Sequence, residues 1–398
     1  MCIRDRRFKF NDPLYILFSS GTTGVPKCIV HGVGGTLIQH KKEHNLHCDI
    51  KEGERVFYFS TCGWMMWNWL ISGLASGATL MLYDGSPVLK NNENILFDYA
   101  DQEKFNIMGI SAKFLDTCRK LELNPMNSHN LSSLRMMLST GSVLNSECFD
   151  YVYEKIKRSV CLSSISGGTD IVSCFVLGSN ILPVYRGELQ TRGLGMSVEV
   201  WDELGSPVNG RKGELVCTKT FPSKPVMFWD DKAMKKYSNS YFKRYPNIWH
   251  HGDYVKLLDN GGMVFYGRSD TTLNRGGVRI GTAEIYRQVE VLEEVFESIV
   301  VEQNWDDDSR IILFVRLKEA IHLTDDLKEK ITKQIRENTS PRHVPDLIIQ
   351  VSDIPRTKSG KIVEIAVQKA IHGLPIENKS ALENPQVLDE YHHHKELQ

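Results

Sequence analysis

Short apolar runs alternate with Gly- and Pro-rich turns through the first 220 residues. Residues 14–18 (LYILF) read as a buried strand, residues 19–26 as a loop, and residues 28–30 as a second short strand, so the opening is a strand–loop–strand unit. An aromatic segment follows at 57–59 and again at 62–69 (CGWMMWNW). Residues 134–138 predict a strand running into Ser139, Thr140, Gly141 and Ser142; residues 147–156 predict a helix capped by Asn145 or Ser146. Apolar alternation such as Val198-Glu199-Val200, within the Gly-rich stretch 193–216, predicts a small β unit.

The pattern changes near residue 270. A helix is predicted from Thr282 with Ile285, Val289 and Leu292 on its apolar face, then a strand at 311–317. Thr324 precedes a helix with Leu327, Ile331 and Ile335 at four-residue spacing, ended by Pro341, and 347–351 is a further strand. This reads as a compact α+β domain. The polar tail beyond about residue 375 is expected to be poorly ordered.

Composition narrows the function classes. Hydrophobic residues are 41% of the 398 and charged residues 24%, ordinary for a folded domain, which excludes global disorder. A net charge of -1 argues against a nucleic-acid binder or a basic membrane-surface protein. There is no apolar run long enough to predict membrane insertion, and no apolar signal segment at the start. Nine scattered cysteines without CxxC spacing predict neither a disulfide framework nor a zinc site, and imply a reduced, cytoplasmic compartment.

Candidate chemistry sits first in Ser19-Ser20-Gly21-Thr22-Thr23-Gly24-Val25-Pro26-Lys27. Glycines let backbone approach a phosphate, hydroxyls and N–H groups donate to its oxygens, and Lys27 adds positive charge. It is not a Walker A loop, because Pro26 precedes the lysine, Cys28 follows it, and the next element reads as a strand. Four further stretches follow: residues 166–170 (SGGTD), 249–253 (WHHGD), 267–270 (GRSD) and 355–361 (PRTKSGK).

These five stretches, in this order, resemble the motifs of the adenylate-forming acyl-CoA synthetase superfamily. The resemblance implies an α/β adenylate-forming enzyme fold, with a truncated large domain over residues 1–269 and a small mobile C-terminal α+β domain over 270–398. It implies an enzyme that joins an acid to coenzyme A with ATP and Mg2+, releasing AMP and pyrophosphate. Bringing a carboxylate onto the α-phosphate sets two anions together, so cations and oriented donors should dominate the catalysis.

The same resemblance implies the site residues. Ser19, Thr22, Thr23, Gly24 and Lys27 would hold the β- and γ-phosphates. Thr169 would donate to the α-phosphate, and Asp170 would hold Mg2+, a hard cation that prefers oxygen. Members usually carry Glu where Asp170 stands; Asp keeps the charge on a shorter side chain. Gly141, Ser142 and Val143, with Gly167 and Gly168, would border the nucleotide. Asp253 would bind the ribose hydroxyls beside Arg268, and Arg279 would lie near the phosphates. Lys361 would be the catalytic lysine, a compact cation able to reach the carboxylate and the bridging oxygen. Asp270 would be the hinge on which the small domain swings, and Gly276 and Gly277 would leave room for the pantetheine of coenzyme A.

Segments 57–69 and 273–286 resemble those of members that activate acetoacetate. Trp64, Met65, Thr140 and Gly167 are the acyl-pocket candidates; acetate-specific members carry Trp at the position of Gly167, so a bare glycine implies a longer acid. A propionyl-type short-chain ligase and an inactive nucleotide-binding fragment stay as alternatives. Superfamily members also have a long region ahead of the phosphate loop, so the chain is expected to be the C-terminal portion of a longer enzyme, poorly soluble or inactive alone.

Overall fold

β1 (Pro13–Ser19) and β2 (Lys27–Gly32) pair antiparallel in a computed structural model that describes residues 6–19, 27–275, 278–305, 308–357, 360–376 and 379–397. Ser19 stands opposite Lys27, so the two ends of segment 20–26 are held side by side. Thr22, Thr23 and Gly24 lie outside the described residues, as do Gly276 and Gly277. α1 (Val33–Lys42) continues directly into a π-helical turn, Glu43–His47.

Five parallel strands follow: β3 (Arg55–Tyr58), β4 (Thr79–Met81), β5 (Ile107–Ser111), β6 (Met136–Thr140) and β7 (Cys161–Ser164), ordered β4-β3-β5-β6-β7. Their crossovers carry α2 (Met65–Ser72), α3 (Ile95–Gln102), α4 (Ala112–Lys120), the single turn α5 (Pro125–Ser128) and α6 (Ser146–Tyr151). Successive residues of each strand enter opposite cores. Phe57, Met108, Ile110 and Met137 join one; Val56, Tyr58, Ile107, Met136 and Leu138 join the other. A parallel sheet needs both faces covered, which is why its strands read as continuous apolar runs. Leu134 is buried but precedes the strand, which begins at Met136. Asn145 caps α6 by accepting from the Cys148 N–H, as expected, but the helix turns π-helical over Val152–Ile156.

β8 (Ser166–Gly168) and β9 (Ser173–Leu177) pair antiparallel just beyond β7. The predicted small β unit is present as Val198–Trp201 paired with Lys212–Cys217, in a four-stranded sheet that continues to Trp249–Leu257 and Met263–Arg268. Phe8, Phe10 and Phe18 are exposed, and so are Leu37 and Ile38 on α1.

The chain divides into two compact units, the second comprising Phe265–Gln398 with Gly252–Val255. Its centre is a three-stranded sheet: Val295–Trp305 antiparallel to Asp308–Leu317, which runs parallel to Leu347–Gln350. Alternation again feeds two cores. Val300, Ile311, Leu313 and Val315 pack with Ile285, Val289, Leu327, Ile331 and Ile335 of the helices Thr282–Val289 and Asp325–Asn338. Thr324 caps the second of these by accepting from the Leu327 N–H. Leu292 is buried although it lies beyond the first.

The other face corrects the expectation of a poorly ordered tail. Ile299, Val301, Ile312, Phe314 and Ile349 pack against Leu382, Val387, Leu388, Tyr391 and Leu397. Tyr391 is fully buried, edge-on to Phe314 at 4.7 Å, and its hydroxyl donates to the Asp353 carbonyl at 2.8 Å. An aromatic pair of this kind adds about 0.5–1.5 kcal/mol beyond its area. The tail reads as polar because its anchors are sparse, yet those few cover a sheet face that would otherwise meet water.

Candidate functional site

In the parallel sheet the chain passes from β3 to β4 on one side and returns to β5 on the other, so strand order reverses between β3 and β5. Ligands of open α/β sheets sit outside the carboxyl ends of the strands at such a point. The segments leaving those ends carry Trp64 after β3, Ala112 after β5, Gly141 after β6 and Ile165 after β7. Trp64 stands edge-on to Tyr58, ring centroids 5.8 Å apart. Gly141 has φ +99°, in the left-handed region, and a Cβ there would lie 3.8 Å from the Trp64 ring; backbone conformation, not crowding, asks for glycine. Thr140 Oγ1 donates to the Ile165 carbonyl at 2.9 Å. Ser142 is exposed and Val143 half-buried beside it, whereas Met65 lies in the core beneath.

Gly167 has a packing reason of its own. A Cβ would sit 2.0 Å from the Ser173 carbonyl oxygen and 2.5 Å from the Cys174 Cα. Its bareness is therefore what lets β8 pair with β9, a role distinct from opening a pocket. Gly168 is roomier, with the nearest atoms, those of the His251 ring, at 3.7 Å.

Three segments converge on Asp170. Lys27 Nζ lies 2.7 Å from its Oδ1, and the Tyr241 hydroxyl donates to the same oxygen at 2.6 Å. Lys27 also stands over the Tyr241 ring, 5.0 Å from its centroid, and Tyr241 is stacked on Trp249 at 3.7 Å. Burial would raise the Asp170 carboxyl, but the charges of Lys27 and His251, with the hydrogen bonds from Lys27 and Tyr241, bring it down to about 2. The side chain is still 19% exposed, so a ligand can reach a carboxylate that stays charged. Ser19 Oγ, at the end of β1, is buried with no hydrogen-bond partner among the described residues. Tyr241 was not predicted. It ends the helix Lys235–Tyr241, where Tyr237 and Tyr241 are buried four residues apart and so resemble an ordinary core stripe.

The second unit gathers another set. Asp253 is buried and accepts from Arg268 Nη1 at 3.1 Å. Gly252, at φ +84°, lets Arg268 pass; a Cβ would lie 2.6 Å from Nη2. Arg268 Nε is 3.5 Å from Oδ1 of the exposed Asp270. Arg279 stacks over Tyr254 at 4.4 Å, and its Nη2 donates to the Ser269 carbonyl and the Thr272 hydroxyl at 3.3 Å. Lys361 closes a tight turn: its N–H donates to Thr357 Oγ1 at 3.1 Å, its carbonyl accepts from the Thr357 N–H at 2.9 Å, and Gly360 supplies φ +79°. Arg356, in the same basic run, is paired with Glu297 at 2.6 Å and Asp353 at 3.2 Å.

Among the described residues no group of three or more His, Cys, Asp or Glu stands ready for a metal. A lone carboxylate suits Mg2+, which keeps waters and takes its remaining oxygens from substrate phosphates. Among the same residues no helix is long and apolar enough to cross a membrane, and no disulfide forms.

Comparison with known proteins places these motifs in context. The sequence matches the family described as AMP-binding enzyme over residues 4–223 and the AMP-binding enzyme C-terminal domain over residues 290–361. It is 61% identical over 383 residues to an acetoacetyl-coenzyme A synthetase of Rhizobium meliloti (strain 1021), covering 96% of this chain and 59% of that protein. It is 50% identical over 392 residues to an acetoacetyl-CoA synthetase of Gallus gallus, covering 98% and 58%. The fold resembles an acetoacetyl-CoA synthetase from Streptomyces lividans with a TM-score of 0.91 at 40% identity, covering 97% and 60%. The chain therefore spans about three fifths of the length of the curated relatives it matches.

Proposed function

Because the chain belongs to the AMP-binding enzyme family, we propose that it carries the adenylating machinery of an acetoacetate–CoA ligase. The reaction has two steps. The acetoacetate carboxylate attacks the α-phosphate of ATP and pyrophosphate leaves; the thiol of coenzyme A then attacks the acyl carbon and AMP leaves. The observation that carries the choice of acid is the 61% identity to an acetoacetyl-coenzyme A synthetase, which extends over 96% of the chain and hence through both compact units.

The residues divide the work by charge. The loop ending at Lys27 receives the β- and γ-phosphates; Lys27 gives up its bond to Asp170 for a phosphate oxygen, one anion exchanged for another. Asp170 would then hold Mg2+, which when bound supplies neutralisation of the phosphate charge. Tyr241 keeps the carboxylate aimed while Lys27 is engaged elsewhere. Thr169 donates to the α-phosphate. Asp253, steadied by Arg268, accepts from the ribose hydroxyls, and Arg279 adds charge on the phosphate side. Trp64 and Thr140 border the acid at the carboxyl edge of the sheet. Lys361 neutralises the carboxylate and bridging oxygen during attack, Asp270 is the hinge residue, and Gly276 and Gly277, outside the described residues, are the candidates for leaving room for the pantetheine of coenzyme A.

The test is ATP–pyrophosphate exchange with acetoacetate, acetate, propionate and butyrate, by the purified chain and by the chain joined to the part of the Rhizobium meliloti relative that it does not cover. Acetoacetate is expected to be used best, with exchange reduced about 100-fold or more in Lys361→Ala, the scale of losing an electrostatic catalyst. A preference for propionate would replace the acid; undiminished exchange in Lys361→Ala would remove the assigned mechanism.

A further inference from the structure

Thr169 and Asp170 lie in a turn, and the turn is strained. Val172 has φ +48°, a left-handed conformation that a β-branched residue rarely adopts and that persists only where the surroundings over-determine it. The surroundings are two buried histidines. His31 Nε2 lies 2.9 Å from the Thr169 carbonyl oxygen, and His40 Nε2 lies 2.5 Å from the Val172 carbonyl oxygen. A carbonyl can only accept, so each Nε2 carries the hydrogen. Asp170 sits between the two pinned carbonyls.

The pins come from elements that cannot easily shift. His31 lies near the end of β2, the strand that begins with Lys27, and its ring meets Tyr15 of β1 edge-on. His40 lies on α1, and its Nδ1 is 2.8 Å from Ser72 Oγ on α2, the helix that starts at the candidate acyl pocket. One turn further on, Glu43 accepts from the Ser173 hydroxyl, from the Cys174 N–H at 3.3 Å and from Trp69 Nε1 at 2.9 Å, while Gln39 donates to Ser173 Oγ at 2.7 Å. Burial holds His31 neutral, down to about 4, and pushes His40 below its usual range as well, so both keep the single-proton form the geometry requires.

We propose that His31 and His40 are positioning residues: as Nε2–H donors they pin the carbonyls on either side of Asp170 and hold the Thr169–Val172 turn in the conformation that receives Mg·ATP. The inference rests on the reading of Thr169 and Asp170 as nucleotide-facing groups. It also implies that the strand bearing Lys27 and the turn bearing Asp170 are registered by His31, independently of their ion pair.

The test compares His31→Leu and His40→Leu, which remove the donor, with His31→Gln and His40→Gln, whose amide nitrogen falls near Nε2. In exchange assays the Leu variants are expected to raise the KM for Mg·ATP about tenfold, the scale of one orphaned buried acceptor, with the KM for acetoacetate unchanged and the Gln variants near native. Amide hydrogen exchange at 169–174 is expected to accelerate in the Leu variants alone. A native KM for Mg·ATP and native protection in folded Leu variants would overturn the proposal; so would an equal rise in both KM values, which marks general loosening. If His40→Leu does not fold, His40→Asn, which moves the donor to the Nδ1 position, makes the same comparison. If the unsubstituted protein exchanges with no acid, alone or joined to the part of the relative it does not cover, the proposed activity has failed, and amide exchange still decides whether the histidines hold the turn.

Discussion

Two aspartates, Asp170 and Asp253, follow short glycine-containing stretches, and in sequence they look interchangeable. The structure treats them differently. Among the described residues Asp170 accepts on one oxygen from Lys27 and Tyr241, 143 and 71 positions away, and is driven down to about 2. Asp253 meets Arg268 only 15 positions on, with both residues on consecutive strands of one sheet. The first is an assembly made by the whole large unit, and the second is made almost locally. On the proposed function the first carboxylate is a placeholder, whose partner leaves for an incoming anion, and the second a fixed acceptor, whose partner stays.

The sharpest break between them is expected from Asp170→Asn. It removes the charge that would hold Mg2+, so exchange should fall about 10²–10³-fold, the scale of losing an electrostatic stabiliser, and the Mg2+ requirement should rise. A native Mg2+ profile would make Asp170 a structural partner of Lys27 and no more.

Asp253→Asn should act on binding instead. Calorimetric titration is expected to show ATP bound about tenfold more weakly, since Asn offers one acceptor oxygen where the carboxylate offers two. Deoxy-nucleotides supply the control: the native chain should distinguish them from ATP, and the variant should not. Discrimination retained in Asp253→Asn would take the ribose away from this residue.

The smallest effect is expected from Tyr241→Phe, a loss of about fivefold in exchange for one hydrogen bond. It has a clearer signature in acid. The Asp170 carboxyl lies lower in the folded chain than its unfolded value of about 4, so its contribution to stability is complete above about pH 4 and is lost as pH falls through about 2. Without the tyrosine hydroxyl the folded value rises, so the contribution above about pH 4 is smaller and its loss is complete at a higher pH. Thermal melts between pH 5 and pH 2 that coincide for the two proteins would count against that hydrogen bond.

Legibility in the sequence followed range. The strands at 14–18 and 28–30, the Asn145 and Thr324 caps and the apolar face at Leu327, Ile331 and Ile335 were readable, because each depends on neighbours within a few residues, but the first strand is not the buried one its apolar run implies: Leu14 and Phe18 are exposed. The tail was misread because its anchors are too few for a periodic signal, although Tyr391 is fully buried. Tyr241 and the two histidines were invisible for a related reason. An aromatic at helical spacing and a histidine in an apolar run are ordinary core residues until the fold shows which carboxylate or carbonyl they face.

By itself the sequence determined the order of the elements, the family and the residue types that carry charge to a phosphate, since these follow from local periodicity and motif spacing. Only the tertiary structure decided that Lys27 and Tyr241 share one oxygen of Asp170, that Gly167 is bare for strand packing, and that Val172 is held in a left-handed turn. The reason is physical: a side chain's partner is set by which distant backbones the two cores bring within about 3 Å of it, and no local pattern records that distance.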